Sequence, residues 1–170
     1  MPTNKNSAEG SRSIFVNLTV VAVFTALMVS FIMYFYQSEP DVKRVALATL
    51  AEQFSTSATN AHWQWQAQGR PELILLVHYD IKGQETDRRP ISMSEQGWPR
   101  MEPTSEGCGK LWEMVLNMPL AISGFKVYAE YYDGIQLTGK EADSMCRFRL
   151  STGPYFEYLV YSGQVKKTNI

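Results

Sequence analysis

The sequence is poor in the residues that most protein chemistry requires. Its 170 residues include only two cysteines and two histidines. This scarcity excludes zinc fingers, iron–sulfur clusters and small domains held together by several disulfides. Positive charge is not in excess either, because 16 lysines and arginines face 17 aspartates and glutamates. A chain without a basic surplus does not fit nucleic-acid binding, whose affinity rests on neutralising phosphates.

Catalytic and nucleotide-binding motifs are missing as well. The chain has no G-x-S-x-G nucleophile elbow, no P-loop, no G-x-G-x-x-G and no H-E-x-x-H. His62 and His78 do not have the spacing of metal ligands, so structural roles are the more common explanation for both. Cys108 has no histidine near it in the sequence that would serve as the base of a catalytic thiol. We predict no enzymatic activity, no catalytic or metal-binding residue and no cofactor.

A long uncharged stretch lies near the N-terminus. Residues 14–36 carry no charge, and as a helix they would extend about 35 Å, enough to cross a hydrocarbon core of about 30 Å. Tyr34 and Tyr36 suit the aromatic belt at a membrane interface. A cleaved signal peptide is the competing interpretation, but the stretch ends in YFYQSEP, which offers no small-x-small cleavage site. We predict a retained single-pass helix, with residues 1–13 as a cytoplasmic tail.

Small residues recur within this predicted membrane helix. Ala22, Ala26 and Ser30 are spaced by four, so they share one face that would let a second helix approach closely. The plainer interpretation, which we consider the more common one, is that small residues are simply frequent in spanning helices. The uncharged stretch 14–36 makes the bilayer one predicted partner of this chain. A second membrane helix, packed on the small-residue face, is the alternative that this spacing suggests.

A second helical segment is predicted at residues 37–69. Pro40 suits the first position of a new helix, and Gly69 and Pro71 supply the signals at which it would end. Because only one proline lies between the two helical segments, we expect them to be nearly continuous, with a break at Pro40. Between these points apolar residues recur at steps of three and four, forming a stripe that needs a covering surface. This stalk stripe consists of Leu47, Leu50, Phe54, Ala58, Ala61 and Trp65.

Residues 70–170 are predicted to form a head domain that covers the stalk stripe. Alternating apolar runs separated by turn signals predict five strands, and a short helix lies between the second and the third. The predicted strands are Leu73–Tyr79, Ile91–Met93, Phe125–Tyr132, Met145–Leu150 and Tyr155–Tyr161, and the predicted helix is Cys108–Leu116. The fold class is therefore α+β, with helices packed on a small antiparallel sheet.

The two cysteines fall on apolar faces of two predicted elements. Cys108 lies on the inner face of the short helix and Cys146 on the inner face of the fourth strand. A disulfide between them would close a loop of about 40 residues and contribute on the order of 3–4 kcal/mol. The alternative is two reduced, buried thiols. A membrane-anchored domain with only these two cysteines favours the disulfide, and an oxidising compartment places the head in the periplasm.

Tyrosines are concentrated in the predicted strands. They either line a binding face or serve as ordinary core residues and cross-strand pairs, and the second role is the more common one. The tyrosines concerned are Tyr128, Tyr131, Tyr132, Tyr155, Tyr158 and Tyr161.

The order of these segments is similar to that of type IV pilins and pseudopilins, in which a membrane helix continues into an amphipathic helix packed on an antiparallel sheet. The prepilin signature is absent, however. Gly10 is followed by Ser11 and Arg12, where that family has a methylated aromatic residue and an apolar segment, and no glutamate lies in the membrane helix. Processing by prepilin peptidase is therefore not expected.

Three segments give a closer likeness: AHWQWQAQGRP at 61–71, ISMSEQGWP at 91–99 and CGKLWEMVL at 108–116. They resemble the MshF family, small accessory proteins encoded with the mannose-sensitive haemagglutinin (MSHA) pilus, a type IV pilus of marine gammaproteobacteria. The resemblance implies a non-enzymatic inner-membrane protein that assists MSHA pilus biogenesis, and so adhesion, through contacts with other pilus assembly proteins or pilins. The stalk or an open sheet edge would make these contacts. The alternatives are a minor pilin built into the fibre and a periplasmic ligand-sensing domain.

Overall fold

The computed structural model describes the backbone of residues 6–122, 124–137, 140–142, 144–151 and 153–168, and the side chains of 15–35, 42–122, 124–134, 144–151 and 153–168. The chain divides into two compact units, Met1–Val42 and Lys43–Ile170. The second unit is called the head below. It therefore includes the part of the helix that carries the stalk stripe.

Helix α1 spans Asn6–Ala67 and contributes to both units. Within the first unit, Phe15–Phe35 is the one stretch among the described residues that is long and apolar enough to cross a membrane, with a mean hydropathy of 2.3. Ala22, Ala26 and Ser30 lie in this stretch and are exposed within the chain. Their role in packing against a second helix stays a prediction.

The backbone of α1 is helical on both sides of Pro40. A proline inside a helix removes one hydrogen bond, which disfavours the helix without forbidding it. The sequence predicts two nearly continuous helices divided at this residue, whereas the structure has one. That helix also begins at Asn6, inside the predicted tail of residues 1–13.

Within the described residues, the remaining elements are one helix and ten strands. The first sheet has the order β1-β2-β3, the second β10-β9-β8-β5-β4, and β6 and β7 form a separate hairpin, all with antiparallel pairs. The elements are β1 Leu73–Tyr79, β2 Glu85–Met93, β3 Pro99–Arg100, α2 Ser105–Leu116, β4 Ala121–Ile122, β5 Phe125–Tyr132, β6 Ile135–Leu137, β7 Lys140–Ala142, β8 Met145–Leu150, β9 Tyr155–Leu159 and β10 Val165–Lys166. The predicted α+β class is confirmed, and the arrangement is consistent with a pilin-like layout.

The head has two larger sheets and a hairpin where the sequence predicts one small sheet. The strands that prediction missed are two or three residues long, as in β3 and β10. Segments of that length are too short to show an alternating pattern, so their strand character depends on the neighbour that pairs with them. In the same way, β2 begins at Glu85 rather than Ile91 because β1 pairs with it along its whole length.

Helix α2 begins at Ser105, three residues before the predicted start. The hydroxyl of Thr104 accepts a hydrogen bond from the N–H of Gly107 at 2.9 Å, which caps the helix. At the other end Asn117 adopts a left-handed conformation with φ of 52°, a common way for a helix to end. The buried side chains of α2 face one direction and include Cys108, Leu111, Trp112 and Val115.

The core of the head lies between the helices and the inner face of the five-stranded sheet. All six residues of the stalk stripe are buried, so the sheet and α2 cover the stripe that the sequence left open. Phe54 is at its centre, with its ring centroid 5.0 Å from that of Tyr158 and 5.5 Å from that of Phe148. Trp112 approaches Phe148 from α2 at 5.1 Å. Both helices therefore pack on the same side of this sheet.

Candidate partner-binding site

A disulfide joins Cys108 on α2 to Cys146 on β8, with the two Cα atoms 5.6 Å apart. The residues are separated by 38 positions in the sequence. Both sulfurs belong to the core, since only 1% and 3% of these residues is exposed. The bond therefore holds α2 against the inner face of the sheet and is not placed to act as an accessible redox group.

His62 packs against an aromatic ring, and both of its ring nitrogens lie within hydrogen-bond distance of a partner. Its ring stacks on Trp98, with centroids 4.3 Å apart and planes 17° apart. Its Nδ1 lies 2.8 Å from the carbonyl oxygen of Gly97, so this nitrogen carries the hydrogen and donates. The other nitrogen lies 2.7 Å from the amide of Gln66. His62 thus fixes the turn before β3 against the end of α1.

The turn at Gly97 packs closely on Trp65. Gly97 has φ of 80°, and a Cβ atom at this position would collide with the Trp65 ring. Glycine is therefore required for both the backbone conformation and the close approach. Gly163 plays the same part toward Trp98, with φ of 68° and no room for a Cβ atom against the indole.

His78 is also partly buried, on β1. Its Nε2 lies 2.9 Å from the carbonyl oxygen of Met114, near the end of α2, and donates a hydrogen bond to it. Burial lowers the pKa of His78 below 6.5, and the carbonyl and Asp87 oppose this only in part. Within the described residues, no three His, Cys, Asp or Glu side chains come together as metal ligands. The two histidines are in separate structural positions.

The outer face of the five-stranded sheet lies opposite the helices and carries charged and tyrosine side chains, whereas the inner face is apolar. The register pairs Arg149 with Tyr128 and Tyr155, and Arg147 with Glu130 and Glu157, all pointing away from the core. We call this surface the tyrosine–arginine face. It consists of Lys126, Tyr128, Glu130, Tyr132, Arg147, Arg149, Tyr155, Glu157 and Lys166.

Arg147 is at the centre of this face. Its guanidinium carbon lies 4.4 Å from the centroid of the Tyr132 ring and 4.5 Å from that of Tyr155. Its Nη2 donates to Glu157 at 2.8 Å and its Nη1 to the Tyr132 hydroxyl at 3.0 Å. Because every side of the guanidinium has a partner, these four side chains are held in one arrangement.

A second, more exposed set of contacts lies beside the first. Arg149 donates to Glu130 at 2.9 Å and lies 5.3 Å from the Tyr128 ring centroid. The hydrogen bond from Arg149 lowers the pKa of Glu130, and a further hydrogen bond from the Tyr132 hydroxyl acts in the same direction. Tyr128 is 40% exposed and Tyr132 is 36% exposed, so the two rings are accessible while their orientation is restrained.

The tyrosine–arginine face has a positive balance of charge. The Nζ atom of Lys126 lies 5.2 Å from the Tyr128 ring centroid, and Lys166 on β10 pairs in register with Glu157 on β9. With Arg147 and Arg149 these lysines make four cations, against the two carboxylates of the face. Because the whole chain has a net charge of -1, the balance here is local. Such a face attracts an acidic surface.

The structure separates the six tyrosines that the sequence singled out. Tyr158 is fully buried, its hydroxyl donates to the carbonyl of Pro99 at 2.9 Å, and burial raises its pKa. Tyr131 points inward and Tyr161 lines a cleft. The other three, Tyr128, Tyr132 and Tyr155, belong to the outer face. The core interpretation is therefore confirmed for Tyr158, and a binding role for the three outer tyrosines stays a prediction.

A cleft of about 870 Å³ is lined by residues of both helices, the three-stranded sheet and the five-stranded sheet. Its wall includes Trp65, Arg70, Arg100, Met101 and Tyr161. Sequence reasoning did not find it, because its residues come from several distant segments that only the fold brings together. Two arginines and three glutamates border it, so no single sign of charge identifies a ligand.

The chain was compared with protein-family models, with curated proteins and with solved structures, and it matches none of them.

Proposed function

We propose that this chain is a membrane-anchored, non-enzymatic accessory protein of a type IV pilus system that acts through protein contacts of its head. The observation that carries the proposal is the tyrosine–arginine face, a restrained and exposed aromatic surface with a positive charge balance. The helix Phe15–Phe35 is the anchor in this proposal. In this proposal the anchor lies in the inner membrane and the head lies in the periplasm, where the disulfide would form.

The composition of the face supports protein contacts. Tyrosine and arginine are the residues most enriched at the centres of protein interfaces, where their large side chains exclude water. Arg147 and its neighbours are already ordered by their mutual contacts, so little side-chain entropy is lost when a partner binds. The excess of cations directs the face toward an acidic partner surface.

The pilus assignment has a separate basis. It comes from the resemblance of three segments to the MshF family and from the pilin-like layout. Those segments contribute Trp65, Trp98 and Trp112 to the core and the contacts around it. They build the head rather than the tyrosine–arginine face. The resemblance therefore supports the assignment to a pilus system. The tyrosine–arginine face supports the proposed position of the contact with a partner protein.

A gene deletion with matched complementation tests the proposal. We expect the deletion to reduce pilus number, adhesion and the steady levels of other pilus proteins. The wild-type gene and Lys82→Glu, which alters an exposed lysine in the β1–β2 turn, should restore all three. Lys126→Glu should not restore them at equal protein level, because it reverses one charge of the face. A deletion that leaves all three quantities unchanged contradicts the proposal.

One observation favours a second candidate, a minor pilin. Helix α1 continues from the membrane-length stretch into the head, as in the pilin layout. Surface fibres can be sheared from cells and the N-terminus of the protein determined in the fibre and membrane fractions. Full-length protein confined to the membrane supports the accessory role. Protein found in the fibres and shortened near Gly10 supports the minor pilin instead.

A further inference from the structure

Strand β1 is an outer strand of the three-stranded sheet, and its backbone is open on one side. Leu75 is paired with Pro90, which has no N–H, so this pair is not joined by ladder hydrogen bonds. In an antiparallel ladder, the N–H and C=O of such a residue point away from the neighbouring strand. Alternation turns the backbone groups of Leu73 and Val77 in the same direction.

A side-chain contact confirms this direction. The amide Nε2 of Gln64, on α1, donates a hydrogen bond to the carbonyl oxygen of Leu75 at 2.6 Å. Among the described residues, no other side chain bonds to the backbone of Leu73, Leu75 or Val77 on this edge. The backbone N–H and C=O groups of Leu73, Leu75 and Val77 therefore form a row along this edge, and only the Leu75 carbonyl is bonded by a described side chain.

The side chains of the edge are apolar on the exposed face. Leu73 is 54% exposed and Leu75 48%, whereas the alternate residues Ile74 and Leu76 are buried. No residue of Leu73–Tyr79 is an aspartate, glutamate, lysine, arginine or proline. Natural proteins usually protect such edges with lysine, proline or a bulge, and the one irregularity in this strand comes at its end, between His78 and Tyr79. The edge from 73 to 77 therefore has none of these features, and the Gln64 side chain is its one cover among the described residues.

We propose that β1 is a docking strand, to which an extended segment of a different protein adds as a further strand. Unpaired N–H and C=O groups at alternating residues match only another extended backbone. The incoming segment would replace Gln64 at the Leu75 carbonyl and cover Leu73 and Leu75 with apolar side chains of its own. It would therefore be an uncharged segment of about five residues with apolar side chains at every second position.

The position of α1 favours a lone segment over a second copy of this chain. The Gln64 contact means that α1 lies within one glutamine side chain of the edge. Two copies paired edge to edge would bring two α1 helices to the same junction. A single added strand occupies only about 4.8 Å beside β1. The inference does not depend on the tyrosine–arginine face, which is on the other large sheet.

Photo-crosslinking in cells tests the proposal on the full-length chain. A photoreactive amino acid is placed at 73, 75 or 77 in turn, and the labelled peptide of the adduct is sequenced. We expect all three positions to label one protein, at residues that advance in steps of two along one segment. This periodicity is the signature of strand pairing and would not arise from an apolar patch.

Backbone variants make the test specific. With the label at 75, Val77→Pro removes an outward N–H while leaving the β1–β2 hydrogen bonds intact, and should lower the adduct yield about tenfold. The control is Ile81→Pro, at a fully exposed turn position that accepts proline, and it should leave the yield unchanged. Gln64→Ala should raise the yield. With the label at 73, Leu75→Lys adds an edge charge and provides a second loss-of-binding variant if Val77→Pro lowers thermal stability.

The outcomes separate this inference from the pilus assignment. No adduct at 75, an adduct that Val77→Pro and Leu75→Lys both leave unchanged, or an adduct between two copies of this chain would overturn strand docking. An adduct with the predicted periodicity to a protein outside the pilus system supports strand docking and contradicts the pilus assignment. An adduct with the predicted periodicity to a pilus protein supports both, and an adduct to any protein without that periodicity overturns strand docking.

Discussion

The two faces of the five-stranded sheet share the same strands but use opposite kinds of interaction. Along β8, Phe148 and Leu150 point toward the helices, whereas Arg147 and Arg149 point away from them. The inner face is stabilised by filling volume with apolar rings. The outer face is stabilised by hydrogen bonds and cation–π contacts between side chains that remain partly in water.

This difference separates stability from availability. Apolar packing is strong because it removes surface from water, and for the same reason the residues involved are not accessible to a partner. The contacts of the tyrosine–arginine face are individually weaker, but they hold accessible rings in place. A domain of this size therefore depends on its inner face for stability and leaves its outer face free for binding.

The largest expected difference is between truncating an aromatic ring on the inner face of the sheet and truncating one on the outer face. Phe54→Ala should lower the free energy of unfolding by about 3–5 kcal/mol, because the cavity lies among three other rings. Tyr128→Ala, on the outer face, should cost about 1 kcal/mol or less. Urea unfolding of the full-length protein in detergent measures both. Equal losses would mean that the two faces contribute alike to stability.

The disulfide provides the next effect, on the inner face. Cys108→Ser and Cys146→Ser should each destabilise the head by about 3–4 kcal/mol, the loop-closure contribution of a bond of this span. The double variant should lose no more than either single variant, because all three remove the same bond. Additive losses would instead indicate two independent buried thiols. The same unfolding measurement, without reductant, distinguishes the two cases.

On the outer face, the two arginines should differ. Arg147→Met leaves Glu157, which is 8% exposed, without its partner, and should cost about 1–3 kcal/mol. Arg149→Met should cost about 0–1 kcal/mol, because Glu130 is more exposed and water can replace the lost contact. Adding Glu157→Gln to Arg147→Met should recover part of the loss. Identical costs for the two arginines would show that burial of Glu157 is unimportant.

The smallest effect is a dependence of stability on pH. Burial lowers the pKa of His78 in the folded protein, so the unfolded chain binds this proton at a higher pH. The contribution of His78 to the free energy of unfolding should therefore be constant above about pH 7.5 and decrease as the pH falls below 6.5. His78→Gln keeps a donor for the Met114 carbonyl and should flatten this part of the curve. The same slope in both proteins would contradict the assignment to His78.

Periodicity predicted the elements that are long enough to repeat a pattern. The strands Leu73–Tyr79, Phe125–Tyr132 and Met145–Leu150 begin and end where the sequence indicates. The last long strand ends at Leu159 rather than Tyr161, because the chain turns at 160–162 before pairing with β10. Signals of this kind are local, so a single sequence contains them.

The candidate binding surfaces were accessible to sequence reasoning only in part. The tyrosines and alternating arginines are visible in the sequence, but the strand order decides that Arg147 lies between Tyr132 and Tyr155. An open sheet edge was expected in general terms, and we propose β1 as that edge because of its outward backbone groups and exposed leucines. The cleft could not be predicted, because its walls come from segments that are distant along the chain.

The sequence by itself determined the membrane-length helix, the amphipathic stalk stripe, the long strands and the apolar positions of both cysteines, because each depends on the spacing of residues along a single segment. The tertiary structure decided which surfaces are covered. It buried the stalk stripe, joined Cys108 to Cys146, placed three tyrosines outside and left the edge of β1 open. These outcomes depend on which segments meet, and long-range pairing is not encoded in any one segment.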